Sequence, residues 1–256
     1  MGDPERNRRG DDLAHVLRKR RTLLRSLADA PLDQRDLRDE LGVSRSTVYK
    51  SLQELIDLDL VVERDGAYDL TGFGRLVWRN HSEYVAGLNR LEDGRRLIDA
   101  LPADRWFPRT LFERGQISSP GRDAPDRPLD RLATAGDDAK RIRAVSPSGM
   151  PRFLADLHEN VEAGEQTATL LVGNGAISRL RSAYEQFPEA TRADGLEIRR
   201  LDDEIDFAVV LFDDDEVGLF GYNAGAIAGA AFSNDPDAFQ WGERRFEEFL
   251  ERSMEV

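Results

Sequence analysis

Leu37-Arg38-Asp39-Glu40-Leu41-Gly42-Val43-Ser44-Arg45-Ser46-Thr47-Val48-Tyr49 decides the fold of the N-terminal part of this 256-residue chain. Asp33 opens a short helix upstream that places Leu37 and Leu41 on one face. Gly42 ends it at a position suited to left-handed backbone, and Ser44 caps the next helix, which turns Val48, Leu52 and Leu55 inward. Two helices joined by a tight glycine turn result. Upstream, Leu13, Val16, Leu17, Leu24 and Leu27 keep helical spacing from a cap at Asp11 or Asp12 to the stop at Asp29-Ala30-Pro31. Downstream, Val61-Val62-Glu63-Arg64, the turn Asp65-Gly66 and Ala67-Tyr68-Asp69-Leu70 predict two short strands around a hairpin.

Three helices followed by a hairpin make a winged helix. The run from Leu37 to Tyr49, with Leu52, Leu55, Leu60-Val61, Asp65-Gly66, Tyr68, Leu70-Thr71 and Gly74, resembles the winged helix-turn-helix of archaeal and bacterial transcriptional regulators. Two positions depart from that pattern. Arg38 stands where a small residue is usual, and its long stem lets it lean outward. Asp59 stands where a glycine is usual, and Asp tolerates positive φ.

The resemblance implies double-stranded DNA as partner and a recognition helix from Ser44 to about Asp57 in the major groove, N-terminal side chains at the base edges. Its outward face carries Arg45, Ser46, Tyr49 and Lys50, with Arg45 the strongest base reader because a guanidinium bridges guanine O6 and N7. Ser44, Thr47 and Lys50 are expected at phosphates, and Arg64 at the wing tip reaches backbone or minor groove. The alternative left open is a winged helix that serves as a protein-interaction module.

After the wing, Phe73, Leu76, Val77, Tyr84, Leu88 and Leu91 keep helical spacing to about Asp93, predicting an amphipathic connecting helix of the kind that pairs two subunits. A homodimer is therefore expected. Residues 104–139, with Pro108, Gly115, Pro120, Gly121, Pro125, Pro128 and Gly136, read as an irregular linker that docks through Trp106, Phe107, Leu111, Phe112 and Ile117. The domains expected are 11–75, a connecting segment 76–139, and 140–256.

From Ile142 onward strand and helix alternate: a strand at Ile142–Val145, a loop at Ser146–Gly149, a helix carrying Phe153, Leu154, Leu157 and Val161, and a strand at Thr169–Val172. A turn at Gly173-Asn174-Gly175 leads to a helix over Ile177–Phe187 and a strand at Leu196–Arg199. A hairpin of Phe207–Phe212 and Val217–Phe220 turns at Asp213-Asp214-Asp215, and a final helix starts near Pro236. This predicts an α/β domain with a mixed sheet. The hairpin Val209–Gly221, Asn234-Asp235-Pro236, Phe239, Trp241 and Phe246 resemble half of a phospholipase D-like fold. That fold occurs in effector domains of TrmB-type regulators and, more closely, in a domain shared with methanogenesis regulatory proteins. The resemblance implies ligand sensing or dimerisation. A small-molecule effector is expected at the carboxyl ends of the strands, with Ser146, Ser148, Asn174 and Arg200 as candidate contacts.

Composition excludes several chemistries. There is no cysteine, so no disulfide, thiolate metal site or thiol nucleophile, and His15, His81 and His158 are far apart in sequence. Phospholipase D chemistry needs His, a Lys two residues on and a following Asp, yet His158 is followed by Glu159-Asn160. No P-loop, nucleophile elbow or zinc-protease signature occurs, so neither an enzyme nor a cofactor is expected. No apolar run is long enough for a membrane span, and the N-terminus, with Arg6, Arg8 and Arg9, has no signal-peptide core, which predicts a cytoplasmic protein.

Forty-nine acids against 36 bases give a net charge of -13, and Lys19, Lys50 and Lys140 are the only lysines. This skew resembles the composition of proteins from salt-loving archaea; a GC-rich genome is the alternative source of the arginine excess, but it leaves the acid excess unexplained. The acid load is C-terminal: residues 1–72 carry 13 bases and 15 acids, whereas residues 140–256 carry 12 and 23. A DNA-binding surface therefore belongs in the first segment, though its net charge is slightly negative. In roughly molar salt the screening length is about 3 Å, so affinity must come from short-range contacts. DNA binding titrated against KCl is expected to give a logarithmic slope of magnitude below about 2, far from the roughly 0.9 per phosphate of counterion release; a steep loss of affinity would overturn this.

Overall fold

The computed structural model describes residues 4–256 and forms two compact units, one up to Ala86 and one from Gly87 to Val256; Arg6, Arg8 and Arg9 have side chains outside the described set. The first unit holds α1 (Pro4–Lys19), α2 (Arg21–Asp29), β1 (Leu32–Asp33), α3 (Gln34–Leu41), α4 (Arg45–Ile56), β2 (Val61–Arg64) and β3 (Ala67–Leu70). It also takes in the first part of α5 (Gly72–Asp93).

Local rules build the helix-turn-helix. The Asp33 carboxylate accepts from the backbone amides of Arg35 and Asp36 at 2.7 and 2.8 Å, starting α3. Gly42 takes φ 64°, and the Ser44 hydroxyl accepts from the Thr47 amide at 3.2 Å, starting α4. Leu24, Leu27, Leu37, Val48, Leu52, Leu55 and Leu60 are fully buried between the helices and the small sheet. The hairpin turn uses Asp65 at φ 51° and Gly66 at φ 82°, both positive as a two-residue type I′ connection requires. Asp59 takes φ 56°, as expected from its place before the wing, and Arg38 is exposed, paired with Asp39.

Two sequence expectations change here. The single first helix is broken at Arg20 (φ -105°, ψ 16°), giving α1 and α2. The wing sheet has a third strand, ordered β1-β3-β2, because Leu32-Asp33 pairs antiparallel with Ala67-Tyr68.

The second unit continues with α6 (Arg95–Asp99), α7 (Thr110–Glu113), β4 (Gln116–Ser118), α8 (Arg127–Asp138), β5 (Arg141–Ser146), α9 (Pro151–Glu162), β6 (Thr167–Gly173), α10 (Asn174–Ala183) and α11 (Phe187–Ala190). Then follow β7 (Leu196–Leu201), β8 (Phe207–Phe212), β9 (Glu216–Asn223), β10 (Ala226–Ser233), α12 (Pro236–Leu250) and β11 (Met254–Glu255). One eight-stranded sheet results, in the order β11-β7-β6-β5-β8-β9-β10-β4. β5, β6 and β7 run parallel and the remaining pairs antiparallel, so the expected mixed α/β architecture is what forms.

All six residues of β8 are buried, and helices cover both faces of the sheet. On one side Leu132 of α8, Leu154 and Leu157 of α9, Ile177 and Leu180 of α10 and Phe187 of α11 pack on Ala144, Leu170, Val210 and Phe220. On the other, Leu97 of α6, Leu111 and Phe112 of α7 and Phe239, Trp241 and Phe246 of α12 pack on Val145, Leu171, Val209 and Leu219.

The stretch 104–139 is therefore not an irregular linker. It supplies α7, the edge strand β4 and α8, because the antiparallel end of the sheet exposes apolar surface on both faces that these residues help α6 and α12 to cover. Phe107 packs edge-on to Phe207 at 5.3 Å, and the Trp241 indole donates to the Trp106 carbonyl. The glycine- and alanine-rich run before Ser233 is strand β10, and its smallness has a reason: a Cβ on Gly229 would meet Leu97 at 3.0 Å, as one on Gly221 in the neighbouring β9 would at 2.9 Å. The turn expected at Gly173-Asn174-Gly175 is instead the direct start of α10 at Asn174, and the helix expected to Phe187 stops at Tyr184, which is extended (φ -121°, ψ 105°). β11 pairs with β7 at the far edge.

Leu97 tests whether the segment after the wing belongs to the core. Fully buried, Leu97→Ala should cost about 2–5 kcal/mol by denaturant unfolding; a change under about 0.5 kcal/mol would place it outside.

Candidate nucleic-acid interface and ligand cavity

At the start of α4, Ser44, Arg45, Ser46, Thr47, Tyr49 and Lys50 are all exposed, while Val48, Ser51, Leu52 and Leu55 are buried. The helix thus turns one face to the core and presents the whole predicted reading face outward. Tyr49 is 53% exposed, an uncommon position for an aromatic ring on a folded unit. Ser44 Oγ lies 2.9 Å from Ser46 Oγ and 2.8 Å from Thr47 Oγ1, so the cap is also the centre of a hydroxyl cluster.

Arg45 Nε donates to Gln34 Oε1 at 3.2 Å, which holds its guanidinium at the mouth of a groove of about 350 Å³ lined also by Asp33, Arg35, Arg38 and Gly66. Gln34, Arg35 and Arg38 were absent from the sequence-based site; the signal for them was their place on the first helix of the motif, beside the turn. Arg64 is exposed one residue before the wing turn. Arg45, Lys50 and Arg64 have no ion-pair partner among the described residues.

Two cations of this unit are engaged by one carboxylate. Lys19 Nζ and Arg20 both reach the Glu54 carboxylate, at 2.8 and 2.6 Å, clamping α4 to the break between α1 and α2. The hydrogen bond from Lys19, joined by Arg20, holds the Glu54 carboxyl below its ordinary value against the opposing effect of burial.

In the second unit the four candidate ligand residues separate into two pairs. Ser146 and Ser148 line a cavity of about 40 Å³ between the sheet and α8, α9 and α10. Ser146 Oγ donates to the Ser148 carbonyl at 3.0 Å, and Ser148 Oγ is 3.4 Å from the Tyr222 hydroxyl. Asn174 and Arg200 do not line it; both turn to Asp202, Asn174 Nδ2 donating at 2.6 Å and Arg200 Nε lying 3.3 Å away. Tyr222, Met150 and Phe153 at the cavity were missed, although Tyr222 shares the alternation of Phe220 along β9 and so points to the same face. His158 lies in α9, 3% exposed, its Nδ1 2.8 Å from the Tyr184 hydroxyl. Among the described residues no cluster of His, Asp and Glu is arranged to hold a metal, and no helix is long and apolar enough to cross a membrane.

The Glu54 clamp has a pH signature. Its folded-state pKa is depressed, so its stabilisation is present above the ordinary value near 4.5 and is lost as pH falls through the folded value. Because the groups are partly exposed, Glu54→Gln should lower stability by less than about 1 kcal/mol at pH 7, the difference shrinking to nothing in acid. Melting curves of both proteins against pH check this; an undiminished difference at pH 3 would contradict it.

Comparisons with known proteins bear on both units. Residues 125–252 match the model of the middle domain of the methanogenesis regulatory protein FilR1, and residues 10–117 match the HVO_A0261 N-terminal domain. No curated protein sequence matches the chain. Among solved structures, TrmBL2, described as an archaeal chromatin protein with a novel mode of DNA binding, is 14% identical with a TM-score of 0.45, over 96% of this chain and 99% of its own. NucT from Helicobacter pylori (11%, TM-score 0.46) and the phospholipase D family member Nuc from Salmonella typhimurium (15%, TM-score 0.44) each align with 56% of this chain and with 98% and 97% of their own. With half of its length matched by the FilR1 model, the chain belongs to the family of the FilR1 middle domain.

Proposed function

We propose that the protein is a sequence-specific DNA-binding transcriptional regulator that acts as a homodimer and whose C-terminal α/β unit senses a small molecule. The observation that carries it is the exposed start of α4: a capped helix with Arg45, Ser46, Tyr49 and Lys50 outward and the wing cation Arg64 in the same unit. Helix width and major-groove width match, so this surface reads base edges with Arg45 while Ser44, Thr47, Lys50 and Arg64 meet phosphates. Membership of a family named for a regulatory protein supports the same reading and speaks against an enzyme.

Dimerisation draws support from α5. Phe73, Leu76 and Tyr84, between 52% and 64% exposed, leave apolar surface on that helix, while Val77 and Trp78 pack on the core of the first unit. A second copy would cover this surface and set two recognition helices for two half-sites.

Genome-wide mapping of crosslinked sites, with the tagged protein beside Arg45→Ala, tests the proposal. Sharp peaks at promoters that fall at least about tenfold in the variant are expected, since a bidentate arginine contact carries roughly 1–3 kcal/mol. Promoter-independent signal unchanged by the substitution would instead assign the winged helix to a protein partner.

A further inference from the structure

The cavity beside Ser146 and Ser148 has a chemistry that narrows what it can hold. We infer that it takes a small neutral molecule with a short apolar body and a single hydroxyl or carbonyl end, the apolar part between the sheet and α9 and the oxygen among Ser146, Ser148 and Tyr222. This rests on the sensing role proposed above and adds the class of ligand.

Position comes first. β5 pairs parallel with β6 on one side and antiparallel with β8 on the other, and the cavity opens at the carboxyl end of β5, where that change of direction parts the following chains. Gly149 keeps the loop after β5 pressed to α10, since a Cβ there would lie 2.6 Å from the Ala176 carbonyl. The two serines are thereby held at the rim.

The walls decide polarity. None of the lining residues is charged, and apart from the two serines and Tyr222 they are aliphatic side chains, alanines, a glycine, Met150, Phe153 and Phe220. An ion entering here would lose its hydration with no counter-charge, and a sugar would bury many hydroxyls against hydrocarbon. Three hydroxyls on one rim suit one oxygen. Ser146 Oγ is engaged by the Ser148 backbone, donating to its carbonyl at 3.0 Å and accepting from its amide at 3.2 Å, but Ser148 Oγ stands 3.4 Å from both Ser146 Oγ and Tyr222 Oη, beyond the usual 2.5–3.0 Å of an O–H···O bond. A guest oxygen beside Ser148 Oγ and Tyr222 Oη gains donors and an acceptor at better distances.

Size follows from the free space. About 40 Å³ is roughly three times the 10–15 Å³ that a single water needs, room for a body of a few heavy atoms. Half-buried Met150 and Phe153 stand at the mouth, and an unbranched methionine is the side chain best able to give way to a longer body.

Three probes sharing one body and differing in the head test this: 1-propanol, propionate and propylammonium, with glucose as the polyol. Each is titrated into the methyl-labelled full chain while the Leu132, Leu154, Leu180 and Val210 signals are followed by NMR. Saturable shifts in the millimolar range are expected for 1-propanol alone, as a ligand of four heavy atoms permits. Tyr222→Phe should weaken them about threefold to tenfold, and Ala208→Val, which fills the cavity, should abolish them. Shifts that never saturate, equal or tighter binding of propionate, propylammonium or glucose, or affinity untouched by both Tyr222→Phe and Ser148→Ala would each overturn the inference. The titration does not involve DNA, so crosslinking peaks lost in Arg45→Ala while propanol fails to bind would sink the ligand class and leave the regulator standing. Propanol binding without such peaks would do the reverse.

Discussion

A strand buried on both faces is the constraint from which the larger unit follows. Every residue of β8, Phe207-Ala208-Val209-Val210-Leu211-Phe212, lies out of water, so the sheet needs a complete helical layer above and below it. The parallel half is covered by its own crossover helices, as parallel connections oblige. The antiparallel half, β8 to β10, has only tight hairpins and brings no helices of its own. Its cover must come from elsewhere in the chain, which is why α6, α7 and α8 from before the first parallel strand and α12 from after the last hairpin all pack there. The small residues of β9 and β10 are the other side of the same requirement, since Leu97 approaches the backbone at Gly221 and Gly229 too closely for a side chain.

Where local chemistry suffices, the fold was legible in the sequence. Asp33, Gly42, Ser44 and the Asp65-Gly66 turn each do their work through their own backbone neighbours, so helix ends and wing fall where the residues say. β8, and β9 over Val217–Phe220, were equally plain, being short apolar runs of Val, Leu and Phe broken only by Ala208 and Gly218. What could not be read is what depends on distant partners. Ala226-Ile227-Ala228-Gly229-Ala230-Ala231 has little strand propensity of its own and is extended because β9 and β4 pair with it on either side. β1 and β11, two residues each, exist only as partners of β3 and β7. The break at Arg20 has no glycine or proline to announce it, and the carboxylate that holds that guanidinium is 34 residues away.

The candidate sites divide the same way. The recognition face could be listed from one helix, because inward Val48, Leu52 and Leu55 fix which residues must point out. The lining of the cavity could not, since a cavity is made by several elements at once. Strand-end reasoning named Ser146 and Ser148, which line the cavity at the end of β5, together with Asn174 and Arg200, which turn to Asp202 instead. Tyr222 comes from a hairpin strand 74 residues after Ser148.

The slightly negative charge of the N-terminal segment is easier to reconcile with DNA once its carboxylates are placed. Glu54 draws in Lys19 and Arg20 at the break between the first two helices, Asp39 draws in Arg38, and Asp69 draws in Arg75 at the start of α5. Arg18, Arg21 and Arg25 on α1 and α2, like Arg45, Lys50 and Arg64, are left without a carboxylate partner among the described residues. Arg45, Lys50 and Arg64 thus stay uncancelled, although Asp69 belongs to the wing and exposed Glu63 and Asp65 flank Arg64. In a strongly screened solution only charges within a few ångströms of a phosphate matter, so the local arrangement, and not the sum, governs binding. An acid-rich unit can then keep its hydration and still present a reading surface, provided that the cations of that surface are not claimed by its own carboxylates.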